Sequence, residues 1–570
     1  MSILDVVELD HLERELAGDA GPRVRVRNLR VAFQPDGVRR DVVAGVGFDL
    51  EPGQCVAIVG ESGSGKSVTA RALVGLAGRG SIVEADELQL HGADVQAFTA
   101  RDWRRVRGRE VGFILQDALV SLDPLRPVGR EIAESLRVHG WGDRATRRAR
   151  VLDLLTRVGV PNAALRARQR PHELSGGLRQ RALIASAIAL EPDIVIADEP
   201  TTALDVTVQA QVLDQLAGMK ARGASILLIS HDLSVVAQLA DHILVMRAGE
   251  VVEQGPASEV LGAPQHPYTS ALIAAVPGAD TRGTTLSNAP VPHVGSTPAR
   301  LPRDPDMPVL SARGLVKRYV GPDGRASTAV DGVSFDLFAG ETLGIVGESG
   351  SGKSTTARLA LGLEDLDGGT VQLLGEDWAP LPETRRRLRR GLISVVDQDP
   401  LSSFDPRWNV ERILLDALPA GEFATSAARR ARVHELLEQV GLPAGVARRF
   451  PLRMSGGQRQ RVAIARALAP RPTVIVLDEA VSALDVTIQA QILDLLVALR
   501  ESAVVSYLFI SHDLGVISHL SDRILVMKDG VVVEEGTPDE VFLRPQQPYT
   551  RELIASIPAF PYGPERHHHG

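Results

Sequence analysis

The sequence predicts an α/β protein built from two tandem copies of one module, each with a mainly parallel sheet at its core. Three observations predict it. First, the 570-residue chain is written twice: six motifs recur in the same order at offsets between 280 and 287 residues. A solenoid would repeat every 20–50 residues or so, and this period is far longer. Second, each copy holds short apolar runs that end in glycine, an acid or serine: VAIVG, IVIAD and ILLIS in one, LGIVG, VIVLD and YLFIS in the other. Such continuous runs suit strands buried on both faces. Third, helical stretches such as RQRALIASAIAL (179–190) lie between them, and strands separated by helices make a parallel sheet with helices on both faces.

The copies set the domain limits. Residues 1–21 form an N-terminal extension, 22–277 and 308–560 are the two modules, 278–307 is a flexible linker and 561–570 is a tail. The linker expectation rests on a stretch rich in Pro, Gly, Ser and Thr without apolar period. The first twenty residues are acidic and read as a loosely ordered extension, with a short amphipathic helix as the alternative; a secretory signal would start basic. Nowhere does an apolar run approach the 18 or so residues that span a bilayer. The net charge of −8 gives little help in binding nucleic acid, and none is expected as a partner. The Arg runs at 101–109 and 385–390 are expected on solvated helix faces. The single cysteine, Cys55, excludes an internal disulfide, and its strand setting points to packing.

GESGSGKS occurs at 60–67 and again at 347–354, after a strand and before a helical pattern. It fits the phosphate-loop spacing, in which glycines let backbone N–H groups turn onto phosphate oxygens at a helix start. Gly60, Ser62, Gly63 and Gly65, with Gly347, Ser349, Gly350 and Gly352, form the cradles. Lys66 and Lys353 would reach the β- and γ-phosphates, and Ser67 and Ser354 would hold Mg²⁺. IVIADE and VIVLDE each end a buried strand on two acids. Asp198 and Asp478 suit the Mg²⁺ shell, and Glu199 and Glu479 suit polarising an attacking water. LSGG and MSGG open helices. Ser175 and Ser455 read equally as plain N-caps, but Gly176, Gly177, Gly456 and Gly457 would let an anion approach the backbone.

Together with a downstream Gln, an ALD turn and a lone His after a strand, these motifs resemble the nucleotide-binding domain of ABC ATPases over nearly the whole chain. That resemblance implies two P-loop NTPase domains, each with a helical subdomain and an antiparallel β part beside the parallel sheet. It also implies the remaining roles. Gln116 and Gln398 would sense Mg²⁺ and the attacking water, and His231 and His512 would be switch histidines near the γ-phosphate. Asp205 and Asp485 would lie in loops crossing a dimer interface, and Phe33 and Tyr319 would stack on adenine. Leu178 stands where Gln458 keeps the usual Gln of the signature. Family geometry pairs the loop of one module with the SGG of the other, so one chain would supply both ATP sites.

HPYT (266–269) and QPYT (547–550) close the modules, and that ending resembles the dipeptide, oligopeptide and nickel importer ATPases. The resemblance implies two transmembrane permease subunits, an extracytoplasmic substrate-binding protein acting indirectly, and a peripheral place on the cytoplasmic membrane face. Relatives of this type also move nickel, glutathione or short sugars, and a twin-domain ABC ATPase working on the ribosome is the competing reading. No cysteine follows HPYT, so no iron–sulfur cluster is expected. The histidines at 567–569 read as a tag remnant or solvated tail before a metal site.

Overall fold

A computed structural model describes residues 21–557 apart from 35–36, 117–120, 203, 290–306, 321–325, 483 and 504. The expectations for the first twenty residues and for the histidine tail lie outside the described residues. The chain forms two compact units, built mainly on residues up to Ile273 and from Ala274 to Ile557.

The strands of the first unit are β1 Val24–Phe33, β2 Arg40–Leu50, β3 Cys55–Val59, β4 Ser81–Glu84, β5 Glu87–Leu90, β6 Ala93–Asp94, β7 Val111–Ile114, β8 Ile194–Asp198, β9 Ser225–Ile229, β10 His242–Arg247 and β11 Glu250–Pro256. The central sheet runs β11-β10-β3-β9-β8-β7. β11 pairs antiparallel with β10, and the other neighbours are parallel. Every residue of β3, β8 and β9 is buried, which explains their unbroken apolar runs. Cys55 is one of these: its backbone N–H donates to Asp241 and burial pushes its thiol up, away from the reactive thiolate.

A second, antiparallel sheet has the order β2-β1-β5-β6, with β4 also on β1. Its inner residues Val26, Leu29 and Val31 share one core with Ile58, Leu227, Ile229 and Leu244 of the central sheet. A helical part follows β7. Helix Val128–Val138 buries Val128, Ile132 and Leu136, and helix Arg144–Arg157 buries Val151, Leu154 and Leu155, each a stripe at helical spacing. The second of these helices starts where Asp143 and Thr146 form a capping box.

The second unit repeats the plan with β12 Leu310–Val320, β13 Ala326–Leu337, β14 Thr342–Val346, β15 Gly368–Leu373, β16 Glu376–Ala379, β17 Ile393–Val396, β18 Val474–Asp478, β19 Ser506–Ile510, β20 Arg523–Lys528 and β21 Val531–Gly536. Its central sheet runs β17-β18-β19-β14-β20-β21 and its antiparallel sheet β13-β12-β15-β16. The helical part is built on Val410–Ala417, Ser426–Gln439 and Gly456–Leu468.

The second unit also holds chain from the segment expected as linker. Leu286 enters its core at 3% exposure. The buried Asp494 carboxylate accepts from the backbone N–H groups of Leu286 and Ser287, both at 2.9 Å, and from Ser287 Oγ at 2.6 Å. Thr281 Oγ1 lies 2.9 Å from the Nδ1 of buried His519. One apolar residue and one carboxylate thus anchor a stretch whose composition suggested slack.

The two Arg runs keep Arg101, Arg104, Arg105, Arg385 and Arg387 exposed, as expected, while their other members find partners within the protein. Arg107 stacks its guanidinium 4.8 Å from the Trp103 ring and donates to Val74 O. Arg386 and Arg390 pair with Glu383, and Arg389 pairs with Glu376. Among the described residues no helix is long and apolar enough to cross a membrane.

Candidate functional site

Four neighbouring parallel strands of the first unit, β3, β9, β8 and β7, deliver the predicted groups from their carboxyl ends, where open α/β sheets bind ligands. After β3 the chain turns through the glycine loop into helix Lys66–Leu73. The glycines are required by space. A Cβ on Gly60 would sit 2.1 Å from Met246 O, and one on Gly65 would sit 2.7 Å from Val42 O. Gly347 and Gly352 meet Met527 O at 2.2 Å and Ala329 O at 2.3 Å in the same way. Gly63 and Gly350 have open surroundings but adopt left-handed backbone, with φ of +81° and +85°. Ser62 and Ser349 are exposed on the loop tips.

Lys66 is buried, and its Nζ donates to the carbonyls of Gly60 and Glu61 at 2.6 and 2.7 Å. Lys353 repeats this with Gly347 and Glu348 at 2.7 and 2.8 Å, and burial lowers its pKa. Ser67 Oγ donates to Asp198 Oδ1 at 2.8 Å, and Ser354 Oγ to Asp478 Oδ1 at 2.9 Å. The helix start and the end of β8 therefore converge on one carboxylate. Burial raises the pKa of both aspartates. Asp198 is fully buried, and its Oδ2 has no hydrogen-bond partner among the described residues; the Arg71 guanidinium stands 3.6 Å away.

Glu199 and Glu479 each have φ of 50°, a left-handed conformation that costs a non-glycine residue about 1–2 kcal/mol. Their backbone N–H groups still continue the ladder, donating to Ile229 O and Ile510 O at 2.9 Å. The bend falls at the residue whose carboxylate gathers the site. Gln116 Nε2 donates to Glu199 Oε2 at 2.8 Å, and Gln398 Nε2 to Glu479 Oε2 at 2.8 Å. His231 Nδ1 lies 3.2 Å from Glu199 Oε1, and His512 Nδ1 lies 3.4 Å from Glu479 Oε2. Burial works against charge on each Glu and His, but the contact between them outweighs it: both glutamates are held below their usual range and both histidines above theirs.

One participant was not foreseen. Thr202 Oγ1 also donates to Glu199 Oε2, at 3.1 Å, whereas its counterpart Ser482 bonds the Glu479 carbonyl at 3.0 Å. The sequence signal was available in the hydroxyls three residues after each acid, EPTT and EAVS.

The other predicted residues stand on different elements. Ser175 precedes helix Gly176–Ala187 and Ser455 precedes helix Gly456–Leu468, both with N-cap backbone angles. Ser455 forms a capping box with Gln458, each bond at 3.4 Å. Ser175 makes no side-chain cap, and Leu178 has no side-chain oxygen to supply the return bond of a box. A Cβ on Gly457 would press within 2.5 Å of Ile488, one on Gly177 would lie 3.5 Å from Leu204, and Gly176 and Gly456 are exposed. Asp205 precedes helix Val206–Ala221; Asp485 precedes Val486–Ala503 and accepts from Ile488 N at 3.0 Å. Phe33 ends β1 and packs partly against the core, while Tyr319, near the end of β12, is 40% exposed with Lys317 over its ring at 5.5 Å.

The ABC transporter family matches residues 43–202 and 330–482. The chain belongs to the ABC transporter family. Its two cassettes bind and hydrolyse ATP. The C-terminal region of oligopeptide/dipeptide transporters matches residues 252–296 and 533–567. The glutathione import ATP-binding protein GsiA of Pectobacterium atrosepticum (strain SCRI 1043) is 42% identical over 94% of this chain and 89% of its own length. GsiA of Escherichia coli (strain K12) is 43% identical, covering 95% and 90%. The oligopeptide transport ATP-binding protein OppD of Mycobacterium bovis is 42% identical, covering 94% and 98%.

Proposed function

We propose that the chain energises the uptake of di- and oligopeptides, a class that includes glutathione, through separate membrane permease subunits. One observation carries this reading: both modules end in the C-terminal region typical of oligopeptide/dipeptide transporters. The relatives named for glutathione import and oligopeptide transport span the same two-module length. Two permease subunits and a substrate-binding protein complete the importer, and the chain sits on the cytoplasmic face through the permease alone.

Each site also fits Mg²⁺. Ser67, Gln116 and Asp198, and Ser354, Gln398 and Asp478, offer oxygen ligands of the kind a hard cation takes. The buried Oδ2 of Asp198 supports this: among the described residues it accepts no hydrogen bond and has only the Arg71 guanidinium 3.6 Å away, so it keeps lone pairs for a cation. The ion would offset negative charge on the β- and γ-phosphates.

The protein's own groups do the rest. The loop N–H groups and Lys66 or Lys353 hold the phosphates, and Glu199 or Glu479 stays ionised to orient and polarise the attacking water. Gln116 or Gln398 and His231 or His512 fix that carboxylate from either side. By family resemblance each loop works with the other module's SGG: residues 60–67 with Ser455, Gly456 and Gly457, and 347–354 with Ser175, Gly176 and Gly177. Asp205 and Asp485 would line the crossing loops, and Phe33 and Tyr319 would face adenine.

The reading is tested by isolating the chain from its own cells under mild conditions. Recovery with two integral membrane proteins supports it. Recovery with ribosomes and no membrane protein contradicts it.

A further inference from the structure

The HPYT and QPYT motifs marked the family but had no task in the chemistry. The structure gives their tyrosines one. On β11, Glu253 accepts from the backbone N–H groups of Gln265 and His266 at 2.7 and 3.0 Å, which fixes the turn before helix Pro267–Ala274. His266 Nδ1 accepts from the Tyr268 N–H at 3.1 Å. Tyr268 is thereby buried to 7% exposure, with the Arg247 guanidinium 5.0 Å from its ring centre. Its hydroxyl oxygen accepts from the backbone N–H of Glu61 at 3.1 Å, across 207 residues of sequence.

The second unit builds the same contact with partly different residues. Glu534 accepts from Gln546 and Gln547 N–H at 2.7 and 3.1 Å. Tyr549 is 8% exposed, with Lys528 Nζ 4.5 Å from its ring centre. Its hydroxyl accepts from the Glu348 N–H at 3.2 Å. His266 has become Gln547 and Arg247 has become Lys528, yet the tyrosine and its target are the same.

That target is the second residue of each phosphate loop. Its carbonyl receives the loop lysine, at 2.7 Å from Lys66 and 2.8 Å from Lys353. One peptide segment is therefore held from its N–H by the tyrosine while its carbonyl seats the lysine. A backbone donor leaving a buried strand needs a partner, and a rigid ring supplies one at a fixed point.

We infer that Tyr268 and Tyr549 are positioning residues for ATP binding, which clamp the entry of each phosphate loop and tie its shape to the C-terminal region of its own module. The test is the double variant Tyr268→Phe/Tyr549→Phe, which keeps both rings and removes both hydroxyls. Losing one hydrogen bond per loop should raise KM for ATP and the Kd for a fluorescent ribose-labelled ATP by about fivefold. The turnover number should stay within about twofold, because Glu199, Gln116 and His231 are untouched. Purely structural tyrosines would instead lower the melting temperature and leave KM and Kd where they were, and that result overturns the inference. Should the double variant fail to fold, each single variant leaves one loop intact as an internal reference. The singles must then bind the labelled ATP in two classes separated by about fivefold more than in the unaltered chain; binding indistinguishable from the unaltered chain overturns the inference equally. Glu253→Gln, which loosens the turn one step back, should weaken binding in the same direction by a smaller factor.

Discussion

Replacing both Glu199 and Glu479 with Gln preserves size and removes charge, and the surrounding bonds set the consequence. Glu199 accepts from His231 through Oε1 at 3.2 Å, and from Gln116 and Thr202 through Oε2 at 2.8 and 3.1 Å. An amide has one oxygen and one NH₂, so one flank meets donor against donor unless His231 changes tautomer. Each hydrogen bond to the charged group that is lost costs about 1.5–3 kcal/mol, which the left-handed backbone at this residue does not offset. Removing a positioned base lowers a rate by about a hundredfold to ten-thousandfold, or about 3–5 kcal/mol of barrier. The loop, the lysine and Asp198 are unaltered, so ATP should still bind. Phosphate release at saturating ATP, with gel filtration and analysis of the retained nucleotide, reads both effects. The expected result is intact ATP held on the protein and turnover reduced at least about a hundredfold. Turnover within about threefold of the unaltered chain would refute the assignment of these residues.

The same geometry yields two more outcomes. The Glu–His pairs set a pH window: each histidine's pKa lies above 6.5 and each glutamate's below 4.5 in the folded chain. Their mutual stabilisation is complete between those ordinary values, is lost as pH rises through the raised histidine pKa, and is lost as pH falls through the depressed glutamate pKa. In His231→Ala/His512→Ala, burial acts on the glutamates unopposed by the histidines, so the acid limb of the ATPase pH profile should move to higher pH; an unmoved limb would contradict the coupling. Gln458→Leu should make the start of helix Gly456–Leu468 resemble that of Gly176–Ala187, removing the acceptor for Ser455 N–H at a cost of about 1 kcal/mol. Amide exchange at Ser455 should then accelerate about fivefold, and no change would mean that the capping box contributes nothing in solution.

What was legible in the sequence was what backbone sterics and fixed spacing dictate. GESGSGKS is readable because a Cβ on Gly60 or Gly65 collides with a carbonyl oxygen, leaving few alternative sequences. The acids ending IVIAD and VIVLD were legible because a charge that closes four buried apolar strand residues needs a partner. The Leu178 substitution was visible, but its consequence needed the two helix starts side by side: one capping box formed, the other not. Contacts that depend on tertiary placement were hidden. Nothing local joins Tyr268 to Glu61, or Leu286 to the core around Asp494, because those partners meet only once each unit has folded. The hydroxyl of Thr202 lay in plain view, and only the turn at Glu199 showed that it points to the carboxylate.

The central claim is that this ATPase drives peptide uptake through a membrane partner. It is tested most directly by reconstituting the chain in proteoliposomes with the permeases that co-purify with it and measuring ATP hydrolysis and uptake of labelled peptides together. The account predicts that a peptide-loaded binding protein stimulates hydrolysis, that di- or oligopeptides or glutathione accumulate only when ATP is supplied, and that Glu199→Gln/Glu479→Gln abolishes both. ATP hydrolysis indifferent to permease and peptide, with no accumulation, would contradict it.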